Sequence, residues 1–157
     1  MIKVGILTVS DTRNKDNDYS GKKIKTILSK KKEFDVIAYD IVIDDVDKIK
    51  NKLIYYVEKE KIDLILTTGG TGFSKRDVTV EATKSIIKKE VPGISEYIRL
   101  YGAKKKKTAI LSRAISGICK ETLIINLPGS VNGVKESLEL VQDIILHAID
   151  MIKGKGH

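Results

Sequence analysis

The chain has 157 residues, 41% of them apolar and 32% charged, which suits one globular domain with a core of its own and argues against a disordered or membrane-spanning chain. A single cysteine rules out an internal disulfide and, with only two histidines, disfavours a structural zinc site, so a reducing cytoplasm is the expected setting. The excess of 29 Lys and Arg over 21 Asp and Glu favours anionic partners.

Ile2–Val9 is apolar and rich in β-branched residues, and reads as a buried first strand ending at Ser10-Asp11-Thr12. A polar loop follows, and Ser20 or Asp18 caps a helix with Ile24, Ile27 and Leu28 on one face. Phe34–Val42 is the second strand. Asp44 or Asp45 caps a second helix whose buried side carries Val46, Ile49, Leu53 and Val57, and Leu64–Thr68 is the third strand. Two helical crossovers between apolar strands imply a parallel sheet with helices on both faces. Further on, residues 82–89 read as a helix, Val91-Pro92-Gly93 as a break, and residues 95–101 as another helical piece leading into Lys104, Lys105, Lys106 and Lys107. Residues 114–118 and 123–127 are strands joined by too few residues for a crossover, so they are expected to be antiparallel. After Pro128-Gly129-Ser130, the spacing of Val134, Leu138, Val141, Ile145, Ala148 and Ile152 predicts one long amphipathic helix. The expected organisation is a single domain over residues 1–153 with a short tail, 154–157.

The loop Thr68-Gly69-Gly70-Thr71-Gly72, between the third strand and a helix, presents backbone N–H groups to an anion. Lys75 and Arg76 add positive charge, and Asp77 supplies a ligand for the divalent ion that accompanies nucleotide phosphates. The spacing matches neither the P-loop nor the dinucleotide fingerprint, and a plain tight turn is the alternative. On this reading a β-branched residue at Gly70 blocks the approach of a phosphate, weakens ligand binding and leaves the fold largely intact. In a parallel sheet the carboxyl ends of the strands form the ligand crevice; here they carry Ser10-Asp11, Asp44-Asp45, the glycine-rich loop and Pro128-Gly129-Ser130. The lysine run has no interleaved aromatics for base stacking, which disfavours nucleic acid. Tyr55 and Tyr56 read as core or interface, Cys119 as a small residue at a strand end, and neither His147 nor His157 falls in a strand-end motif.

The succession TTGGTG, RDVT, EAT, PGISE, AILSRA and LIINLPGS, followed by the long helix, resembles the molybdopterin adenylyltransferase family of the MogA and MoaB type, over nearly the whole chain. The resemblance implies a three-layer α/β/α sandwich, with a mostly parallel central sheet and one antiparallel strand, usually assembled as a homotrimer. It implies transfer of AMP from Mg-ATP to the terminal phosphate of molybdopterin, with release of pyrophosphate and with a molybdenum insertase as a downstream partner. By motif it assigns Mg2+ to Asp44 and Asp77. Phosphate and pterin contacts fall on Thr68, Gly69, Gly70, Thr71, Gly72, Ser112, Arg113, Pro128, Gly129 and Ser130, with Ser10 and Asp11 matching the end of the first strand. Val80, Ile43 and Val131 stand where the family usually has proline; the loss of proline softens loops and removes no functional group. A non-catalytic molybdopterin-binding protein of the same fold is the alternative.

Overall fold

The computed structural model describes residues 1–155. In chain order the elements are β1 (Ile2–Val9), α1 (Tyr19–Ser29), β2 (Phe34–Val42), α2 (Val46–Glu58), β3 (Leu64–Thr68), α3 (Thr79–Lys84), β4 (Lys89–Glu90), α4 (Pro92–Lys105), a 3-10 turn (Lys107–Leu111), β5 (Ser116–Cys119), β6 (Thr122–Leu127) and α5 (Val131–Ile152). Among the described residues the strands form one sheet in the order β2-β1-β3-β6-β5-β4. β2, β1, β3 and β6 are parallel neighbours. β5 is antiparallel to both β6 and β4, and so runs against the other strands.

Alternation along the strands builds two cores, one on each face. Val4, Ile6, Leu64, Leu66, Leu123 and Ile125 pack under α1 and α5, with Ile94 of α4 in the same cluster. Leu7, Val9, Ile65 and Ile124 face the other way, against Ile49, Leu53 and Tyr56 of α2 and Ala82 of α3. The result is three layers, and none of the described helices is long and apolar enough to cross a membrane.

The two open questions of capping resolve by geometry. The Asp18 carboxylate accepts from Gly21 N (3.1 Å) and caps α1, while also accepting from Thr8 Oγ1 and Tyr39 O–H. Asp45 accepts from Lys48 N (2.9 Å) and caps α2, which leaves the Asp44 side chain out of the cap. Val46, expected inside, is the first residue of α2 and is exposed; Tyr56 is fully buried instead, its hydroxyl donating to Asp40 Oδ2 (2.6 Å).

The segment around residues 82–93 departs from expectation. α3 ends at Lys84, and the next residues leave the helix to cover the edge of β5, with Lys88 N donating to Ile118 O (2.8 Å) and Val91 N to Ser116 O (3.0 Å). A bare strand edge carries unpaired backbone groups, and β4 satisfies them. Pro92 does not break the chain but opens α4 at a position where no N–H is needed. α4 then runs through Lys104 and Lys105, whose charges sit at the negative end of the helix dipole. α5 closes with Gly154 at φ 73° and Lys155 N donating to Asp150 O (2.8 Å). The remaining two residues of the expected tail, including His157, lie outside the described residues.

Candidate functional site

Because β1, β2, β3 and β6 are parallel, their carboxyl ends deliver the segments after Val9, Val42, Thr68 and Leu127 to one edge of the sheet. Two of those segments are tied directly: Thr68 Oγ1 donates to Pro128 O (2.6 Å). Ser10 Oγ accepts from the backbone N–H of Thr12 (3.2 Å) and Arg13 (3.1 Å), turning the chain so that Arg13 reaches across the sheet end. There its guanidinium donates to Gly129 O (3.1 Å) and Ser20 Oγ (2.6 Å). In the sequence Arg13 belongs to a polar loop, and its place two residues after Asp11 is the one local sign of this role.

Gly69 and Gly70 adopt φ of 98° and 71°, left-handed backbone that side chains rarely take. A Cβ would overlap Val9 O at Gly69 and Thr79 Oγ1 at Gly70, so these glycines are required by the packing of the loop against β1 and α3. The expectation that Gly70 tolerates a branched residue without harm to the fold is therefore corrected. Thr79 Oγ1 is buried beneath this turn without a hydrogen-bond partner. Downstream, Asp77 Oδ2 accepts from Ser74 N (2.9 Å), so the carboxylate shapes its own loop and caps no helix; α3 begins after Val78 with no side-chain cap.

Arg76 pairs with Asp11 and not with Asp77. Its Nε and Nη2 each lie 2.9 Å from an Asp11 carboxylate oxygen, and Asp11 also accepts from Asp44 N (3.0 Å). The Arg76 hydrogen bond, followed by that from Asp44, holds the Asp11 carboxyl down at about 2. Asp44 moves the opposite way: burial, and then the negative charge of Asp11, raise its pKa. The strand ends thus join Asp44 and Asp11 to Arg76, the residue next to Asp77. Among the described residues no three His, Cys, Asp or Glu side chains group tightly enough to hold a metal by themselves. One or two carboxylates completed by substrate phosphates and water is the donor set Mg2+ commonly takes, and Asp44 and Asp77 offer donors of that type from loops at the same sheet edge.

Arg113 is turned onto the glycine-rich loop, donating to Gly72 O (2.8 Å), Asp77 O (2.9 Å) and the Glu81 carboxylate. Its neighbour Ser112 lines a cleft of about 780 Å3 together with Thr71, Pro128, Gly129 and Ser130. The cleft lies over the start of α5, where Ser130 Oγ accepts from Gly133 N (3.0 Å) and the N–H groups of Val131 and Asn132 precede the first intrahelical bond. Buried Asn126 stands at its floor, donating to Thr67 Oγ1 (2.9 Å). Asp11, Asp44 and Asp77 are not part of the cleft wall, which carries Arg99, Lys105, Lys106 and Glu136 besides its hydroxyl and amide groups, so a basic-rimmed cleft and the loops bearing these carboxylates share one edge of the sheet.

Residues 5–147 match the family described as "Probable molybdopterin binding domain". The chain belongs to that family. It is 42% identical over 159 aligned residues to the molybdopterin adenylyltransferase of Helicobacter pylori (strain J99), covering 98% of this chain and 89% of that one. It is 40% identical to the Drosophila melanogaster molybdenum cofactor synthesis protein cinnamon over 96% of its own length, and spans 26% of that longer protein. The crystal structure of the molybdopterin biosynthesis enzyme MoaB from Thermus thermophilus superposes with a TM-score of 0.90 at 44% identity, covering 99% of this chain and 98% of that chain. The family match contains every site residue named above, and the three-layer architecture expected from the resemblance is the one observed.

Proposed function

We propose that this chain acts in molybdenum cofactor biosynthesis as a molybdopterin adenylyltransferase, transferring AMP from Mg-ATP to the terminal phosphate of molybdopterin and releasing pyrophosphate. What supports this reading is that an amide-lined cleft and the loops bearing Asp44 and Asp77 share one sheet edge, in a member of this family. Two phosphate-bearing substrates need two such neighbouring environments.

An oxygen of the molybdopterin phosphate attacks the α-phosphorus of ATP; the new P–O–P bond forms as the bond to the β-phosphate breaks, and pyrophosphate leaves. A phosphate monoester is largely dianionic near neutral pH, so the attacking oxygen needs no general base. The chain's task is alignment of two repelling phosphates. Val131 and Asn132 N–H groups and the turn from Gly69 to Gly72 hold phosphate oxygens, Ser10, Thr71, Ser112 and Ser130 supply hydroxyls, and the cleft receives the pterin. Asp44 and Asp77 would hold Mg2+, which would supply neutralising charge to the phosphates. The burial and the neighbouring charge that raise the pKa of Asp44 are the environment that a divalent ion relieves. We also propose a homotrimer in the cytoplasm that passes its product to a molybdenum insertase.

Incubation of purified protein with molybdopterin and Mg-ATP should yield adenylylated pterin and equimolar pyrophosphate. Tight retention of molybdopterin with no pyrophosphate released would instead identify a binding protein.

A further inference from the structure

Arg113 stands at the border of the cleft, yet its guanidinium faces away from it. Nε donates to Gly72 O (2.8 Å), Nη2 to Asp77 O (2.9 Å), and Nη1 and Nη2 to the two oxygens of Glu81 (2.7 and 3.2 Å). Its backbone N–H donates to Thr71 O (3.0 Å). These contacts touch both ends of the excursion from Thr71 to Asp77, whose Ser74, Lys75 and Arg76 are exposed. The anchor is itself anchored: Arg99 Nη1 of α4 donates to Ser112 O (2.8 Å) and Ala114 O (3.1 Å), gripping the chain on either side of Arg113. A guanidinium paired with a carboxylate and two carbonyls has its charge neutralised and its fork committed, which leaves it poorly disposed toward an incoming phosphate.

We propose that Arg113 is a positioning residue for adenylyl transfer: it fixes the main chain from Thr71 to Asp77, and thereby the place of the Asp77 carboxylate, without itself contacting a phosphate. The proposal rests on the adenylyltransferase reading and replaces the phosphate contact that the motif implied for Arg113. The residue type follows from the geometry. An ammonium carries its three donors on one nitrogen and does not span the four acceptor atoms that the planar guanidinium reaches from Nε, Nη1 and Nη2.

Three variants of the full chain test it: Arg113→Gln, Arg113→Lys and Asp77→Asn, with the double variant Arg113→Gln/Asp77→Asn. Amide hydrogen exchange over residues 71–77, measured without substrate, should rise at least about tenfold in Arg113→Gln as the loop loses its clamp. Turnover should fall by about a hundredfold, as for a reacting group misplaced by an ångström, while KM for molybdopterin stays within about threefold. Arg113→Lys should resemble Arg113→Gln in exchange and turnover, and it carries the test if the glutamine variant does not fold. Added to Asp77→Asn, the glutamine change should cost less than about threefold more, because no carboxylate remains to be placed. Unchanged exchange in both Arg113 variants, near-complete rescue by lysine, or a raised KM as the main effect would each overturn the clamp and restore a phosphate contact. Absence of adenylyl transfer by the unmodified protein would sink the underlying reading instead, and the exchange arm, which needs no substrate, separates the two failures.

Discussion

Asp44 and Asp77 are the residues for which helix capping and the proposed metal role make opposite demands, and the hydrogen bonds show that neither side chain caps a helix. Asp45 performs the cap that Asp44 was positioned to make, and the Asp77 carboxylate accepts from Ser74 N in its own loop. Asn at position 77 keeps an acceptor for Ser74 N and loses the charge, so Asp77→Asn should lower adenylyl transfer by about two orders of magnitude, the scale of one well-placed electrostatic group. Asp44→Asn should do the same, and both should melt within a few degrees of the unmodified chain, since surface changes away from a cap cost about 0.5 kcal/mol or less. Turnover and thermal melts on the same preparations check this. Gly70 behaves differently. Its φ of 71° and the overlap with Thr79 Oγ1 mean that Gly70→Val should destabilise the fold by about 1–3 kcal/mol, read by urea unfolding, so lost binding in that variant does not isolate the phosphate cradle.

Asp11 gives a pH signature at the same scale. Its folded pKa is depressed to about 2 from 3.8, so the stability it lends is present above 3.8 and is lost as pH falls through that window toward 2. The difference in melting temperature between the unmodified chain and Asp11→Asn should accordingly shrink from about pH 5 to about pH 2. A difference that stays constant over that range would mean that the Arg76 pair does not hold in solution.

At the scale of elements, the informative residues are those whose local signal was read one way and used another. Pro92 and Gly93 signal a break to a reader of the sequence, yet proline at the first position of a helix is an opening signal, and only the place of β5 decides which applies. The residues after Lys84 have helical spacing but serve the exposed edge of a strand that lies more than two dozen residues ahead. α5 is the opposite case: Ser130, Val134, Leu138, Val141 and Ile145 mark its cap and its buried stripe without ambiguity. Ser130→Ala should remove the acceptor for Gly133 N and destabilise the protein by about 1 kcal/mol, measured by chemical denaturation. It should also weaken molybdopterin binding, because the same hydroxyl lines the cleft.

The whole molecule leaves large apolar side chains in water: Leu100 on α4 (60% exposed), and Ile110 and Leu111 on the 3-10 turn. Such side chains on adjoining elements support the proposed homotrimer, in which a second subunit takes them out of water. Light scattering in physiological salt should give three times the 17.5 kDa chain mass, and a stable monomer at micromolar concentration would remove the proposal.

Outside residues 85–93, the order of strands and helices and the parallel core of the sheet were legible in the sequence, because each rests on local periodicity or on residues a few positions apart. Ile2–Val9, Phe34–Val42 and Leu64–Thr68 are found where their apolar, β-branched runs put them. What tertiary structure alone decided is which long-range partner each polar group meets. Asp11 could face any of several cations, and Arg76 takes it across 65 residues. Arg113 carries no local sign that it reaches back to Gly72 and Asp77, nor Arg13 that it crosses to Gly129. Periodicity reports which side of an element is buried; it holds no record of which loops the closed sheet brings together, and the chemistry of this site is made of those encounters.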